Sequence, residues 1–434
     1  MSRPRITLAV SVAGAMLVAL DGTVLTVAQP TLRRDLDATF AQVQWASTGY
    51  LIAVAGLLVV GGRLGDLYGH RRLLLTGLVG FAAASAAIGL APSIGWVVAM
   101  RVVQGAFGAL LQPATLGLLR TAYPAERLGS AIAVRTSAIA AAGAAGPVVG
   151  GVAVDMFGWR AVALLGLIPA VAVGTLVLAV PPAPATPGKR GLDVRGAALY
   201  AATLAGLVLA LVHPPARWPA LAAGLGCAVA FGWHERRSAD PLVPPAVLRV
   251  RAVPVALGVL GCVSGAAFGT LFVITYLVQD GFGLDPLHTG LLALWLSAAM
   301  VLAAPAAGRL MRRHGPRPVA VGELLAATAG IASLAGAERA AAAGAGLVLL
   351  GAGLGAAMVV ATATVVGHAP AEAAGVVGGL QQTAMNTGPV AGIAAAATLL
   401  GYGTPAALLV LAGVAATGAA LATRLPSGVP APVR

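Results

Sequence analysis

Asp21 is a carboxylate set inside the apolar run Ile6–Ala28. Ionised in hydrocarbon it costs several kcal/mol, so it must face a cavity, meet a partner or carry a proton. A carboxylate that takes up and releases a proton is what a proton-driven machine needs. The plainer alternative is an aspartate bonding nearby backbone where a helix ends. At about 1.5 Å per residue, Asp21 sits ~12 Å below the outer end of its run and Arg101 ~10 Å deep in the run 95–119. Arg101 is therefore the expected partner of Asp21, and Gln104, one turn on, extends the polar face. A structural arginine held by backbone carbonyls is the competing reading.

A second carboxylate, Asp66, lies in the loop Gly62–Arg72 among Arg63, Arg71 and Arg72. Gly62 and Gly69 let the chain turn tightly between two helices. Asp66 can pair with an arginine or cap a helix N-terminus, giving a latch that breaks when the structure moves. A solvated basic loop is the alternative. Gly143, Gly146, Pro147 and Gly150 recur at helical spacing on one face, with Gly151 beside them. Such a face suits backbone contact with a helix of the other half, and Pro147 suits a kink. Arg135 either meets an anionic group or snorkels to the inner surface. Glu323 is interfacial or a second coupling carboxylate. Met300, Phe268, Phe272, Tyr276 and Trp295 suit core packing first and a greasy pocket second. Asp155, Asp280 and Asp285 read as ordinary outer-end charges.

The elements that position these groups must be membrane helices. Of 434 residues, 59% are hydrophobic and only 9% charged, with a mean hydropathy of +0.92. A soluble fold needs roughly 25% charged residues, so the composition excludes a cytosolic enzyme and a disordered chain. The net charge of +13 does not indicate nucleic acid, because the basic residues cluster between apolar runs. Cys227 and Cys262 lie in apolar runs as small hydrophobes. No phosphate-binding loop, metal-ligand cluster or Ser–His arrangement occurs, so no cofactor is expected.

Fourteen apolar runs can be counted, from 6–28 to 404–423, with a single sixth span at 160–180 and a short pair at 196–212 and 218–233. If both termini are cytoplasmic, the inner segments hold 20 Arg or Lys and the outer loops five. That asymmetry predicts this orientation.

The chain repeats itself. Gly62–Arg71 follows the second span, and Gly308–Arg317 follows the tenth, 246 residues later. Gly146-Pro147 is echoed by Gly388-Pro389 at an offset of 242. Duplicated halves follow. The expected divisions are a six-helix bundle over 1–180, a linker with two further spans over 181–250, and a second bundle over 251–434. The inserted pair is expected to line no part of a substrate path. The second loop carries Arg312 where the first has Asp66, which predicts one latch rather than two.

Four motifs together resemble the major facilitator superfamily, specifically its fourteen-span drug:proton antiporters. They are Leu20–Pro30 in the first span, Gly62–Arg72 in the loop, Arg101-Val102-Val103-Gln104-Gly105 in the fourth span and Gly146-Pro147-Val148-Val149-Gly150-Gly151 in the fifth. The chain departs from the pattern at Ala161 and at Gly166-Leu167-Ile168. The resemblance implies an all-α membrane protein of fourteen helices, two six-helix bundles plus an inserted pair. It implies a monomer in the bacterial cytoplasmic membrane that exports hydrophobic or amphiphilic drugs by alternating access as protons enter. Asp21, Arg101 and Gln104 would serve proton coupling; Gly62, Asp66, Gly69, Arg71 and Arg72 the cytoplasmic gate; Gly143 to Gly151 the antiporter helix. Transport of another small solute or a self-made metabolite is the alternative within this class. A membrane-embedded enzyme or sensor is the rival outside it.

Overall fold

The computed structural model describes residues 3–180, 192–212, 216–278, 282–283, 286–370 and 373–427. Among them the regular structure is helical, with no strand. The first half holds α1 (Arg3–Asp35), α2 (Phe40–Tyr68), α3 (His70–Gly89), α4 (Ile94–Ala122), α5 (Ala125–Phe157), α6 (Trp159–Leu164) and α7 (Leu167–Leu178). The pair α8 (Val194–Val212) and α9 (Arg217–Glu235) follows, then a short α10 (Pro245–Arg249). The second half holds α11 (Ala252–Tyr276), α12 (Pro286–His314), α13 (Pro316–Leu334), α14 (Ala340–His368), α15 (Ala374–Leu399) and α16 (Thr404–Ala422). The described residues of the fourteen expected runs are mostly helical, the sixth being shared by α6 and α7. Nine helical segments among the described residues are long and apolar enough to cross a membrane.

The expected sixth span is present as Trp159–Leu178, with a turn within it. Leu165 and Gly166 form the turn between α6 and α7, and the backbone of both stays in the right-handed helical region. Glycine lowers helix propensity there, and the run survives as a span because both pieces are strongly apolar. Asp280, Asp285 and most of the 181–195 linker lie outside the described residues.

Local signals set the helix limits. Thr39 and Gln42 form a reciprocal capping box at the start of α2. Ser93 caps α4. Gly69, at φ 91°, separates α2 from α3, and Gly315, at φ 85°, separates α12 from α13. These positions are 246 residues apart and both need a left-handed backbone that glycine adopts without steric cost. The duplication read from the sequence is thus also a duplication of backbone conformation.

Two compact units emerge. One contains Met1–Tyr123, Ala142–Val247 and Pro370–Thr383; the other contains Pro124–Ala141, Leu248–Ala369 and Ala384–Arg434. The first turns of α5 thus belong with the second unit, and the first turns of α15 with the first. Each exchanged segment is the counterpart of the other in the repeat. In the first unit, α1, α2, α3, α4 and α7 share a core around Leu58, Leu74, Phe81 and Leu111. A second core at the other end gathers Leu32, Val43, Ile88, Val97 and Trp159. Trp159 is fully buried, donates its indole N–H to Asp35 and carries the Arg160 guanidinium over its ring.

Candidate functional site

Asp21, Arg101 and Gln104 meet in the first unit. One guanidinium nitrogen of Arg101 donates to Asp21 Oδ2 at 2.7 Å and also reaches Gln104 Oε1. Gln104 Nε2 donates to Asp21 Oδ1 at 3.0 Å and to Ser85 Oγ at 2.7 Å. The guanidinium carbon lies 4.1 Å over the Tyr50 ring. Arg101, Gln104, Ser85 and Tyr50 are buried, and Asp21 is partly buried. Four helices thus converge: Asp21 from α1, Tyr50 from α2, Ser85 from α3, and Arg101 with Gln104 from α4. The i, i+3 spacing of Arg101 and Gln104 puts both on one face, so the pair grips both oxygens of one carboxylate. A buried ion pair needs such additional hydrogen bonds to offset its desolvation.

Ser85 and Tyr50 carry no motif signal and were not among the expected residues. Their only sequence signature is a polar group in an apolar helix, which Thr and Ser share at many innocuous positions. Among the described residues the buried Tyr50 hydroxyl has no hydrogen-bond partner.

The second cluster lies where α2 ends. Asp66 Oδ1 accepts the Gly375 N–H at 2.6 Å and Oδ2 accepts the Val376 N–H at 3.0 Å. The carboxylate therefore caps the N-terminus of α15, where unpaired N–H groups and the helix dipole favour an anion. Gly62 and Gly375 let the backbones meet: a Cβ on either would overlap the carbonyl oxygen of the other. His70 brings Nε2 within 3.5 Å of Asp66 and fills the space between Gly65 and Gly117.

The arginines of the loop act differently from expectation. Arg71 turns from Asp66 to the end of α7, where it donates to the carbonyls of Val177 and Leu178 at 3.1 and 2.9 Å. Unpaired carbonyls at a helix C-terminus attract a cation there. Arg72 is exposed. Arg63 is buried.

The second loop also makes a docking contact. In the second unit Arg312 donates to Ser130 Oγ, near the start of α5. Asp66 and Arg312 are 246 residues apart, as are Ser130 and Val376. The second loop docks on the equivalent helix through a cation and a hydroxyl instead of a carboxylate and backbone N–H groups. Arg317, 246 residues after Arg71, likewise donates to the carbonyl of Leu425 just past α16, at 2.7 Å.

On the small-residue face of α5 the close approach shown is at Gly150. A Cβ on Gly150 would lie 3.0 Å from the Val24 carbonyl oxygen, so its close approach is to α1 of the same half. Gly392 makes the counterpart approach to Gly265 of α11. Gly143 has open space around it. The Pro147 side chain lies outside the described residues. Arg135 is buried in the 124–141 segment of the second unit, and Glu323 is half-buried on α13. Phe272 and Tyr276 pair at 5.4 Å, Met300 is buried, and Phe268 and Trp295 are exposed.

Outside the spanning helices, one polar cluster closes the base of the inserted pair. His234 Nε2 lies 2.9 Å from both oxygens of Asp193. Burial raises the Asp193 carboxyl, but the Gly196 N–H and His234 outweigh it and hold the group below the usual carboxylate range. Glu235 accepts the N–H groups of Leu242 and Val243 at 3.0 and 3.1 Å. Burial nevertheless pushes its carboxyl up.

Long apolar helices in duplicated halves, with a charged pair held inside one of them, define a multi-pass membrane transporter. The chain belongs to the Major Facilitator Superfamily, which it matches over residues 12–234 and 256–433. It is 39% identical to the tetracenomycin C resistance and export protein of Streptomyces glaucescens, over 92% of this chain and 76% of that one. It is 31% identical to the multidrug efflux pump LfrA of Mycolicibacterium smegmatis, over 92% and 81% of the two chains. It is 36% identical to a puromycin resistance protein of Streptomyces alboniger, over 75% and 67%. The solved structure of the human organic anion transporter MFSD10 superimposes with a TM-score of 0.74 at 17% identity, covering 97% of this chain and all of that one. That likeness is one of fold. Family membership sets aside the reading as a membrane-embedded enzyme or sensor.

Proposed function

We propose that the protein exports hydrophobic or amphiphilic antibiotics across a bacterial cytoplasmic membrane, moving substrate out as protons move in. The observation that carries the coupling is the buried grip of Arg101 and Gln104 on Asp21. Protonation of Asp21 removes its charge and weakens its hold on Arg101. Deprotonation restores the pair. A switch of this kind couples proton entry to conformation if the group meets water from one side at a time. The relatives named for tetracenomycin and puromycin resistance support an antibiotic substrate, and self-made antibiotics are the favoured class within it.

The Asp66 contact reads as the inner gate. It holds the start of α15 on α2 while the path is closed to the cytoplasm, and releases it when the path opens inward. Fourteen spans, cytoplasmic termini and a monomeric transporter complete the reading. The charge distribution supports that orientation.

Everted membrane vesicles test the assignment. Under an imposed proton gradient, an antiporter releases protons when an amphiphilic substrate is added. A carrier that moves another small solute down its own gradient shows flux without proton release, and that result would replace export by facilitated transport.

A further inference from the structure

The two helices that interrupt the duplication are not bystanders at the first gate. One face of α8 presents Ala197, Tyr200 and Leu204 to a buried apolar cluster. The same cluster contains Ala55, Val59 and Val60 of α2 and Val376 of α15. Val376 is the residue whose N–H binds Asp66. Its backbone is thus held by the gate carboxylate while its side chain is packed beside α8.

A polar bond accompanies this packing. The Tyr200 hydroxyl donates to Thr383 Oγ1 at 3.2 Å, and Thr383 in turn donates to the Gly379 carbonyl at 2.9 Å. Both side chains are buried. The Tyr200 ring is fixed from behind by Phe231 of α9, with ring centroids 5.5 Å apart. Gly56 lets α2 close on α8, since a Cβ there would come within 3.2 Å of the Ala201 side chain.

The two helices of the pair are held tightly to each other. Gly206 and Gly224 bring α8 and α9 into backbone contact. Asp193 and His234 tie their near ends together. Glu235 pins Leu242 and Val243, and both of these side chains enter the cluster around Val376. Nothing in the duplicated pattern requires any of these contacts.

We propose that α8 and α9 brace the inner gate, with Tyr200 as a positioning residue that holds the first turns of α15 in register with Asp66. The proposal rests on the reading of the Asp66 contact as that gate. The first turns of α15 are then clamped on two sides, by the carboxylate on their N–H groups and by α8 on their flank. Loss of the brace shifts the population toward an open gate without touching the proton site. The insertion thereby gives this transporter a device for setting how long the inner gate stays shut.

The test uses full-length protein in everted vesicles with Cys227 and Cys262 replaced by alanine. Ala374, buried and adjacent to Gly375, is changed to cysteine as a reporter of gate opening. Its rate of reaction with a membrane-impermeant maleimide is then measured. The brace predicts labelling about three- to tenfold faster in Tyr200→Phe and in Thr383→Val, the range expected from losing one buried hydrogen bond. It predicts that the double variant labels no faster than either single one, and that Tyr200→Phe adds nothing once Asp66→Asn has opened the gate. Leu204→Ala acts in the same direction through packing alone. Val229→Ala, at an exposed position on α9, labels at the starting rate. If Asp66→Asn accelerates labelling while Tyr200→Phe, Thr383→Val and Leu204→Ala do not, the gate stands and the brace is wrong. If Asp66→Asn leaves labelling unchanged, the gate reading falls and the brace falls with it.

Discussion

Asp66 and Arg312 stand 246 residues apart, and each bonds to a residue near the start of a helix, with opposite charge. Asp66 binds the N–H groups of Gly375 and Val376 at the start of α15, and Arg312 binds the Ser130 hydroxyl near the start of α5. The carboxylate meets a helix N-terminus, which favours an anion. The arginine cannot use that dipole and takes a side-chain acceptor one turn further in. The two docking points are therefore unequal in strength, and the account predicts unequal consequences when each is removed.

Asp66→Asn removes the charge and keeps the shape. Hydrogen bonds to a charged group contribute about 1.5–3 kcal/mol each, and Asn can accept with only one of its two terminal atoms. Substrate efflux in everted vesicles is expected to fall below about a tenth of wild type, with the protein still present in the membrane at normal abundance. Wild-type efflux at normal abundance contradicts the latch.

Arg312→Ala and Ser130→Ala remove one exposed bond. At about 1 kcal/mol for such a bond, transport should slow by roughly two- to fivefold, well short of the Asp66→Asn loss. Initial efflux rates for the three variants, measured side by side, check the order. An Arg312→Ala defect equal to that of Asp66→Asn would show that the two docking points are equivalent.

Gly62→Ala places a methyl group where the Gly375 carbonyl oxygen already lies. Backbone on both sides cannot yield cheaply, so the latch cannot close and efflux should be lost. Gly174→Ala on α7 meets nothing within 4 Å and should keep full efflux, with unfolding stability unchanged or raised by up to about 1 kcal/mol. Efflux assays and thermal unfolding of both purified variants decide this.

The Asp21–Arg101 pair was legible because helical rise alone converts sequence position into depth, and matched depth on two helices is a strong constraint. Tyr50 and Ser85 were not legible, because which faces of α2 and α3 turn toward that pair depends on packing that no local spacing encodes. The latch shows a different limit. Asp66 was readable as a cap or an ion-pair partner, but the N–H groups that donate to it lie 309 and 310 residues away and carry no side-chain signature. The repeat offset did contain the second docking point, since it aligns Ser130 with Val376 as it aligns Arg312 with Asp66. The charge reversal at Arg312 hid it.

Arg101→Lys keeps the charge and loses the geometry. Lysine's single nitrogen cannot hold Asp21 and Gln104 while a second nitrogen reaches the Ala46 carbonyl, and it stacks poorly on Tyr50. Proton-driven efflux is expected to drop at least tenfold while substrate binding persists. Equilibrium binding of a fluorescent amphiphile alongside efflux measures both. Retained efflux would reduce Arg101 to a point charge.

The central claim is that Asp21 couples protons to substrate, and reconstituted vesicles test it most directly. Substrate-induced proton movement is recorded with a pH-sensitive dye for wild type and Asp21→Asn at matched protein density. The account predicts proton movement in the wild type and none in Asp21→Asn, with substrate exchange down its gradient retained. An Asp21→Asn protein that moves protons against substrate at the wild-type ratio contradicts the account.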